Sequence, residues 1–406
     1  MADERTDECS RESRRAPLRG ILKDVSEENI THPAESRAAR SGSAPAASEP
    51  PRDLAALGFT ARFQALFDPL AGKGFSPGRV SRVDRGQPLV LTADGPMRAE
   101  LAAHLRSSDD ARLAVGDWVA LVRPEGHDLA IVEAILPRTS AFTRKDPGEH
   151  TVAQVLAANV DVLFIVQSLA PKGPNIARLE RELVLAWESG ARPVVVLTKG
   201  DLVPWSSAVR EEVASVALGV DVHVASGITG EGMEELGAHH LGPGCTAAFF
   251  GASGVGKSTL VNRLIGTEVA DTAEVRESDG KGRHTTVARE MFFLADGSIL
   301  IDTPGMRALA LWDSEDGISA AFPDIEEHAA RCRFADCTHT REPGCAVCEA
   351  VERGEVQERR LDSYLRLREE LEQLATRQDV RARVEKNRGD KLLAREIKRF
   401  YKGHRR

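Results

Sequence analysis

Apolar and polar positions change their rhythm several times along the chain. Residues 1–53 hold no sustained apolar pattern and are rich in Ser, Ala, Pro, Arg and Glu, which predicts a disordered extension. From Leu54 to Pro77, Phe63, Leu66 and Phe67 fall at helical spacing. From Gly78 to Arg138 the texture turns to short β-like runs: Arg79–Arg82, Pro88–Thr92, Trp118–Val122 and Ala130–Ile135. Asp94-Gly95, Gly116-Asp117 and Glu125-Gly126 part them. About five short strands in about sixty residues predict a small OB-like β-barrel. From Ala157 onward, Val160–Val166, Pro193–Leu197, Val220–Ala225, Ala247–Phe250 and Ser298–Ile301 read as buried strands. Ile176–Ser189 reads as a helix with Leu179, Leu183 and Ala186 on one face. That alternation predicts an α/β domain. Past Trp312 the segment Leu361–Arg377 is amphipathic, with Leu365, Leu367, Leu371 and Leu374 near helical spacing. The expected divisions are 1–53 (extension), 54–148 (barrel), 149–312 (α/β domain) and 313–406 (helical domain with a basic tail).

Every chemistry-bearing motif in the α/β segment lies just past the carboxyl end of an expected strand, where open α/β sheets bind ligands. Gly251-Ala252-Ser253-Gly254-Val255-Gly256-Lys257-Ser258, followed by Thr259, is a phosphate loop between a strand and a helix. Its glycines let backbone N–H groups cradle phosphates at a helix N-terminus. Lys257 reaches the β- and γ-phosphates, and the Ser258 hydroxyl is a magnesium ligand. Asp302-Thr303-Pro304-Gly305 follows the next strand. Asp302 suits magnesium and the Gly305 N–H suits the γ-phosphate. Between them, Gly280-Lys281-Gly282-Arg283-His284-Thr285-Thr286 has the composition of a switch loop, with Thr285 or Thr286 as a further magnesium ligand. The alternative is a solvated polar loop.

Thr198-Lys199-Gly200-Asp201 precedes all of these. The Asp201 carboxylate can accept from guanine N1–H and the exocyclic amine, and adenine has neither donor there. Lys199 lays its stem along the base plane, and Thr198 can tie neighbouring loops through its hydroxyl. Ser226-Gly227 can meet the guanine carbonyl through its backbone, or is simply a strand-end turn. An ordinary guanine-nucleotide domain runs phosphate loop, Asp-x-x-Gly, base reader; here the base reader comes first, so the order is circularly permuted. Met306 stands where a water-orienting Gln is common. His284 is the candidate replacement, with a plain loop or partner-contact role as the alternative, and turnover is expected to be slow without a partner.

The chain has 406 residues and six cysteines, four of them within Cys332–Cys348. Cys332, Cys337, His339 and Cys345 make a closed set of zinc-type ligands, with Cys348 a fifth possibility. No apolar run is long enough to span a bilayer and no secretory signal is evident. Net charge is −8, yet residues 379–406 hold eleven Lys/Arg against four Asp/Glu. Such a tail on an acidic body is an interaction feature. Arg79, Arg82, Arg85, Arg138, Arg144 and Lys145 in the barrel, and Arg381, Arg383, Lys386, Arg388, Lys391, Arg395, Lys398, Arg399, Lys402, Arg405 and Arg406 in the tail, are candidate RNA-phosphate contacts.

Together these motifs resemble the RsgA family of circularly permuted, ribosome small-subunit-dependent GTPases, from Leu54 to the C-terminus. The resemblance implies an OB-fold barrel, a permuted P-loop GTPase α/β domain and a C-terminal zinc-binding helical domain. It implies GTP hydrolysis to GDP and phosphate, stimulated by the small ribosomal subunit during its late maturation and coupled to release, in a cytoplasmic monomer that touches rRNA and no membrane. It assigns His284 to catalysis and zinc to Cys332, Cys337, His339 and Cys345, with magnesium accompanying GTP. Gly200, Gly227 and Cys348 depart from the family pattern, and the two glycines are expected to loosen guanine binding. The competing reading is an RNA-binding assembly module in which GTP is a regulatory ligand and hydrolysis incidental.

Overall fold

The computed structural model describes residues 50–83, 87–106, 112–145, 153–203, 207–266, 290–302, 315–373 and 376. Helix α1 (Ala61–Ala71) follows the expected lead-in and turns Phe63 and Phe67 inward. Both meet Trp118, Phe63 directly at 5.7 Å between ring centroids and Phe67 through Phe59. Strands β1 (Ser76–Arg82), β2 (Leu89–Thr92), β3 (Gly95–Leu101), β4 (Trp118–Val122) and β5 (Ala130–Ile135) run in the order β1-β2-β3-β5-β4, and β4 pairs back onto β1. The ring closes, which removes the exposed edges an open sheet would leave. Val80, Val90, Ala99, Val119, Leu121, Ala130 and Val132 fill it. The turn of helix α2 (Ala103–Arg106) links β3 towards β4. The expected barrel is therefore present; β3 was not foreseen, because Asp94-Gly95 read as a turn and Pro96, Arg98 and Glu100 mask the alternation.

A two-stranded hairpin, β6 (Ala141–Lys145) with β7 (Ala153–Ala158), leads to the second layer system. There β8 (Val162–Ser168), α3 (Ile176–Ser189), β9 (Arg192–Thr198), α4 (Ser207–Ala214), β10 (Asp221–Ala225), α5 (Met233–His240), β11 (Thr246–Phe250), α6 (Lys257–Ile265), β12 (Glu290–Phe293) and β13 (Ile299–Asp302) form the α/β part. The sheet order is β10-β9-β8-β11-β13-β12, parallel except for β12 against β13. β8, β9 and β11 are apolar along nearly their whole length because both faces are covered. Helix α3 starts at Asn175, whose side chain accepts from the Arg178 N–H, and stops at Gly190 in the left-handed region.

Barrel and α/β sheet meet at one buried cation. Arg79, 1% exposed, donates to the Leu57 carbonyl, to the Asn159 carbonyl at 3.0 Å and to Thr246 Oγ1 at 2.9 Å, and lies 5.5 Å from the Trp118 ring centre. Burial lowers its pKa to about 10, opposed by Asp161 and Asp117. The expectation that Arg79 contacts RNA is thereby corrected: its donors are spent inside the protein. Arg138 is likewise committed, to Asp117 at 2.7 Å and the Arg112 carbonyl at 2.9 Å. Arg82 pairs with Glu290 at 3.4 Å, where β1 also bridges β12. Arg85, the side chains of Arg144 and Lys145, and the basic tail lie outside the described residues.

Helices α7 (Glu315–Ala321), α8 (Pro323–Ala329), α9 (Ala346–Glu352) and α10 (358–373) complete the fold. Arg360 of α10 joins them to α3: it donates to Asp324 at 2.6 and 2.7 Å, to Glu180 at 3.2 Å, and stacks over Phe322 at 4.5 Å. Arg181 of α3 and Glu370 of α10 add a second tie at 2.8 Å. Among the described residues no helix is long and apolar enough to cross a membrane.

Candidate functional site

Strands β9 and β11 flank β8 and run parallel to it, so the loops at their carboxyl ends leave the sheet side by side. β9 delivers Lys199-Gly200-Asp201, with the Leu202 N–H closing on the Lys199 carbonyl at 3.1 Å. β11 delivers 251–256, and α6 starts at Lys257. Although their order in the chain is reversed, the two motifs lie together in space.

Their contact is direct. The buried Thr198 hydroxyl donates to the Val255 carbonyl and sits 3.2 Å from the Gln167 carbonyl at the end of β8. Lys199, at φ +63°, donates from Nζ to the Gly254 carbonyl at 2.8 Å. Lys257 Nζ donates to the carbonyls of Gly251 (2.8 Å) and Ala252. Gly251 has φ +142°, and an added Cβ would lie 2.4 Å from the Val166 carbonyl oxygen, so only glycine permits this turn. Ser253 and Gly254 are exposed at the loop's crest, Val255 is buried beneath, and Gly256 caps α6 in the left-handed region. Ser258 and Thr259 occupy the first turn of α6, and Asp201 is exposed at the turn after β9.

The Ser226 loop is folded tightly. Its N–H donates to the Glu231 carbonyl at 2.9 Å and its carbonyl accepts from Gly230 at 2.8 Å. Ser226's backbone is therefore engaged within its own turn. For the Gly227 N–H no backbone acceptor is found among the described residues. A Cβ on Gly227 would lie 2.9 Å from the Thr259 carbonyl carbon, and one on Gly200 would lie 2.8 Å from Val224 Cγ1. Both glycines sit where neighbours have closed in: the space of the missing side chain is filled, not loose.

Asp302 ends β13, which pairs with β11 through Ala248 and Ile301 beside the phosphate loop. The Asp302 side chain, and His284, Thr285, Thr286 and Gly305, lie outside the described residues.

Two residues behind the loops escaped the sequence reading. Gln167 donates to Glu182 Oε2 at 2.6 Å and accepts from the Asn175 N–H at 3.3 Å. Glu182, buried on α3, also takes Arg178 at 3.2 Å. Desolvation pushes its pKa up to about 7 against the pull of Arg178, Gln167 and Lys257. The signal was present: a Glu three residues after Leu179 on the apolar face of a helix, and a Gln at the end of an apolar strand.

Cys332, Cys337, His339 and Cys345 converge with all ligand atoms within 4.8 Å of one another. Cys332 and Cys345 Sγ are 4.0 Å apart and each is 3.6 Å from His339 Nδ1. A tetrahedral ion with about 2.3 Å to sulfur and about 2.1 Å to nitrogen sets those separations near 3.8 and 3.6 Å. The donor set fits a metal ion. Cys348 lies beside it: its thiol donates to the His339 carbonyl at 3.4 Å, and its N–H donates to Cys345 Sγ at 3.4 Å.

Comparison with known proteins agrees with this geometry. The family model described as RsgA GTPase matches residues 135–312. A Streptomyces avermitilis protein named small ribosomal subunit biogenesis GTPase RsgA is 46% identical over 336 residues, 82% of this chain and 89% of that one. A Syntrophotalea carbinolica protein of the same name is 43% identical over 361 residues, 86% and 98% of the two chains. The crystal structure of YjeQ from Thermotoga maritima superposes with a TM-score of 0.56 at 27% identity, covering 73% of this chain and 98% of that one. Identity at that level over more than four fifths of this chain makes it a member of the RsgA GTPase family.

Proposed function

We infer that this chain is a ribosome-biogenesis GTPase that binds the small ribosomal subunit late in its maturation, hydrolyses GTP in response to it, and leaves. The observation that carries this reading is the bonding of Thr198 and Lys199 to the phosphate loop. Recognition of a base and of its phosphates is thereby joined in one site, in relatives named for small-subunit biogenesis.

Each residue has a part. Asp201 accepts from the two guanine donors, and Gly227 offers its N–H to the guanine carbonyl. Adenine leaves the carboxylate unpaired, which costs roughly 10⁴-fold in recognition. The N–H groups of 252–259 and the Lys257 ammonium take the phosphates. Ser258 and Asp302, with Thr285 or Thr286, hold the magnesium ion that neutralises charge developing on the transferred phosphoryl group. The Gly305 N–H meets the γ-phosphate. His284 orients the attacking water, since Met306 has no polar group to do so.

Cys332, Cys337, His339 and Cys345 hold zinc. Three thiols and one imidazole filling a tetrahedron leave no open position, so the ion fastens loop 332–345 and does no chemistry on substrate. The basic residues from Arg381 onward track rRNA phosphates, with affinity that falls steeply with salt. The protein acts as a cytoplasmic monomer.

The test is co-sedimentation with purified small subunits, together with turnover measured with and without them. Binding is expected with a non-hydrolysable GTP analogue and not with GDP, with at least tenfold faster hydrolysis when subunits are present. Equal sedimentation in both nucleotide states and unstimulated turnover would overturn the reading. His284→Ala separates hydrolysis from binding: subunit binding persists and stimulated turnover is lost.

A further inference from the structure

Cys348 is the one thiol of the cluster region that the metal reading leaves without a task. Its position is specific. Its N–H points at Cys345 Sγ at 3.4 Å, and its own sulfur rests on the His339 carbonyl at 3.4 Å, against two of the four ligand residues. It is partly exposed, whereas Cys345 is buried at 2%. The pair stands three residues apart across the start of α9, a spacing at which side chains are neighbours. Disulfides need Cβ atoms within about 4.5 Å, and a Cys-x-x-Cys turn reaches that with local adjustment.

We propose that Cys345-Ala346-Val347-Cys348 is an oxidation-sensitive dithiol that releases the metal ion on reaction with a peroxide. This rests on the zinc reading above. Cys332 and Cys348 are both partly exposed, and of the two only Cys348 is left without the ion in the zinc reading. Hydrogen peroxide transfers one oxygen to its sulfur, giving a sulfenic acid and one water. The Cys345 thiolate, held deprotonated as a ligand, then attacks that sulfur. The new S–S bond forms as the S–O bond breaks, and hydroxide leaves. Two sulfurs lose two electrons in all and the peroxide gains them. Cys345 is then a neutral disulfide sulfur, a far weaker donor to zinc than a thiolate, and the ion keeps only Cys332, Cys337 and His339. A dithiol reductant reverses the bond by exchange. The plain alternative is that Cys348 merely fills space beside Val347 and Ala350 in the core.

The experiment uses the full-length, metal-loaded protein. Metal content of untreated protein by mass spectrometry reads the cluster itself, and about one zinc per chain is expected. Peroxide is then added with a chromogenic zinc chelator present, and disulfides are mapped on peptides without reduction. Wild type is expected to release zinc at least tenfold faster than Cys348→Ser, with a Cys345–Cys348 bridge, and to rebind zinc after dithiothreitol. Equal release rates in the two proteins, or a bridge joining Cys345 to Cys332 or Cys337 instead, would overturn the proposal. If untreated protein carries no metal, the zinc reading fails separately, and the disulfide map still decides whether Cys348 is the partner of Cys345.

Discussion

The Lys199 ammonium donates to the Gly254 carbonyl across 2.8 Å, joining the turn after β9 to the crest of the phosphate loop. Position 199 pays for this with φ +63°, a conformation uncommon outside glycine. One residue earlier, Thr198 grips the Val255 carbonyl from beneath. The turn after β9 therefore braces the loop 251–256 on two sides, although the chain reaches it first. In the sheet β8 lies between the two motif-bearing strands, β9 and β11.

Asp201 extends from that braced turn, and its chemistry predicts a change of base. Asp201→Asn replaces a double acceptor by a group that can donate to a carbonyl. GTP affinity is expected to fall about 10³-fold while XTP, with a carbonyl where guanine has its amine, gains. Competition against a fluorescent guanine nucleotide measures both. Unchanged preference for GTP would remove Asp201 from the base site.

Gly227 predicts a steric result. A methyl there would meet the Thr259 carbonyl carbon at 2.9 Å and its oxygen at 3.0 Å, and both belong to the helix backbone, which has little freedom to yield. Gly227→Ala is expected to cost about 1–3 kcal/mol, seen as a lower thermal midpoint and weaker nucleotide binding. A neutral outcome would mean that the Ser226 turn shifts freely relative to α6.

Much of this was legible from residues alone. Ile176–Ser189, Trp118–Val122 and Ala130–Ile135 have the limits their patterns predict, because strong apolar periodicity with clear stop residues decides such elements. The glycine-rich run and the cysteine spacing marked the strand–loop–helix turn at 251–257 and the converging Cys/His cluster that the structure holds. What stayed hidden depends on long-range packing. Arg79 looks like any surface cation in an arginine-rich barrel, and only the approach of Thr246, 167 positions later, turns it into a buried latch. Gly95–Leu101 pairs with β2 and β5 against its own propensity, since barrel closure needs a strand between them. Cys348 has ligand-like spacing, yet the turn at His339 (φ +57°) puts that residue's carbonyl against its sulfur.

Arg79 accordingly carries a stability prediction instead of an RNA one. Arg79→Ala strips hydrogen bonds from Leu57, Asn159 and Thr246 in a buried seam. The expected cost is about 3–5 kcal/mol in total. Lysine should recover little, because one ammonium cannot span acceptors spread around a planar guanidinium. Chemical denaturation reads the cost, while the salt dependence of RNA binding by the folded fraction stays as in wild type. A reduced salt slope with unchanged stability would restore Arg79 to the RNA surface.

A last prediction concerns pH and the far end of the sheet. His240 is buried, accepts from Arg192 at Nδ1 (3.0 Å) and therefore turns its Nε2–H on His223 Nε2 at 2.7 Å. Desolvation first, then His223 and Arg192, lower its pKa from 6.5 to about 4. Above pH 6.5 folded and unfolded chains are both neutral there, and the group adds no slope. As pH falls from about 6.5 to about 4 the unfolded chain takes a proton that the folded one refuses. Stability drops across that window, by at most about 3–4 kcal/mol, and levels off below it. Glu182 has the opposite sign: its pKa is raised to about 7, so its contribution is present below about pH 4.5 and lost as pH rises through 7. Single variants separate the two. The two slopes oppose each other between about pH 4.5 and 6.5, so each is read against wild type: His240→Gln should gain on wild type as pH falls from about 6.5 to 5, and Glu182→Gln should gain on it as pH rises from 5 to 8. Denaturant midpoints at these pH values measure both slopes; a wild-type slope retained in His240→Gln would show that the imidazole pair is not where the proton is taken up.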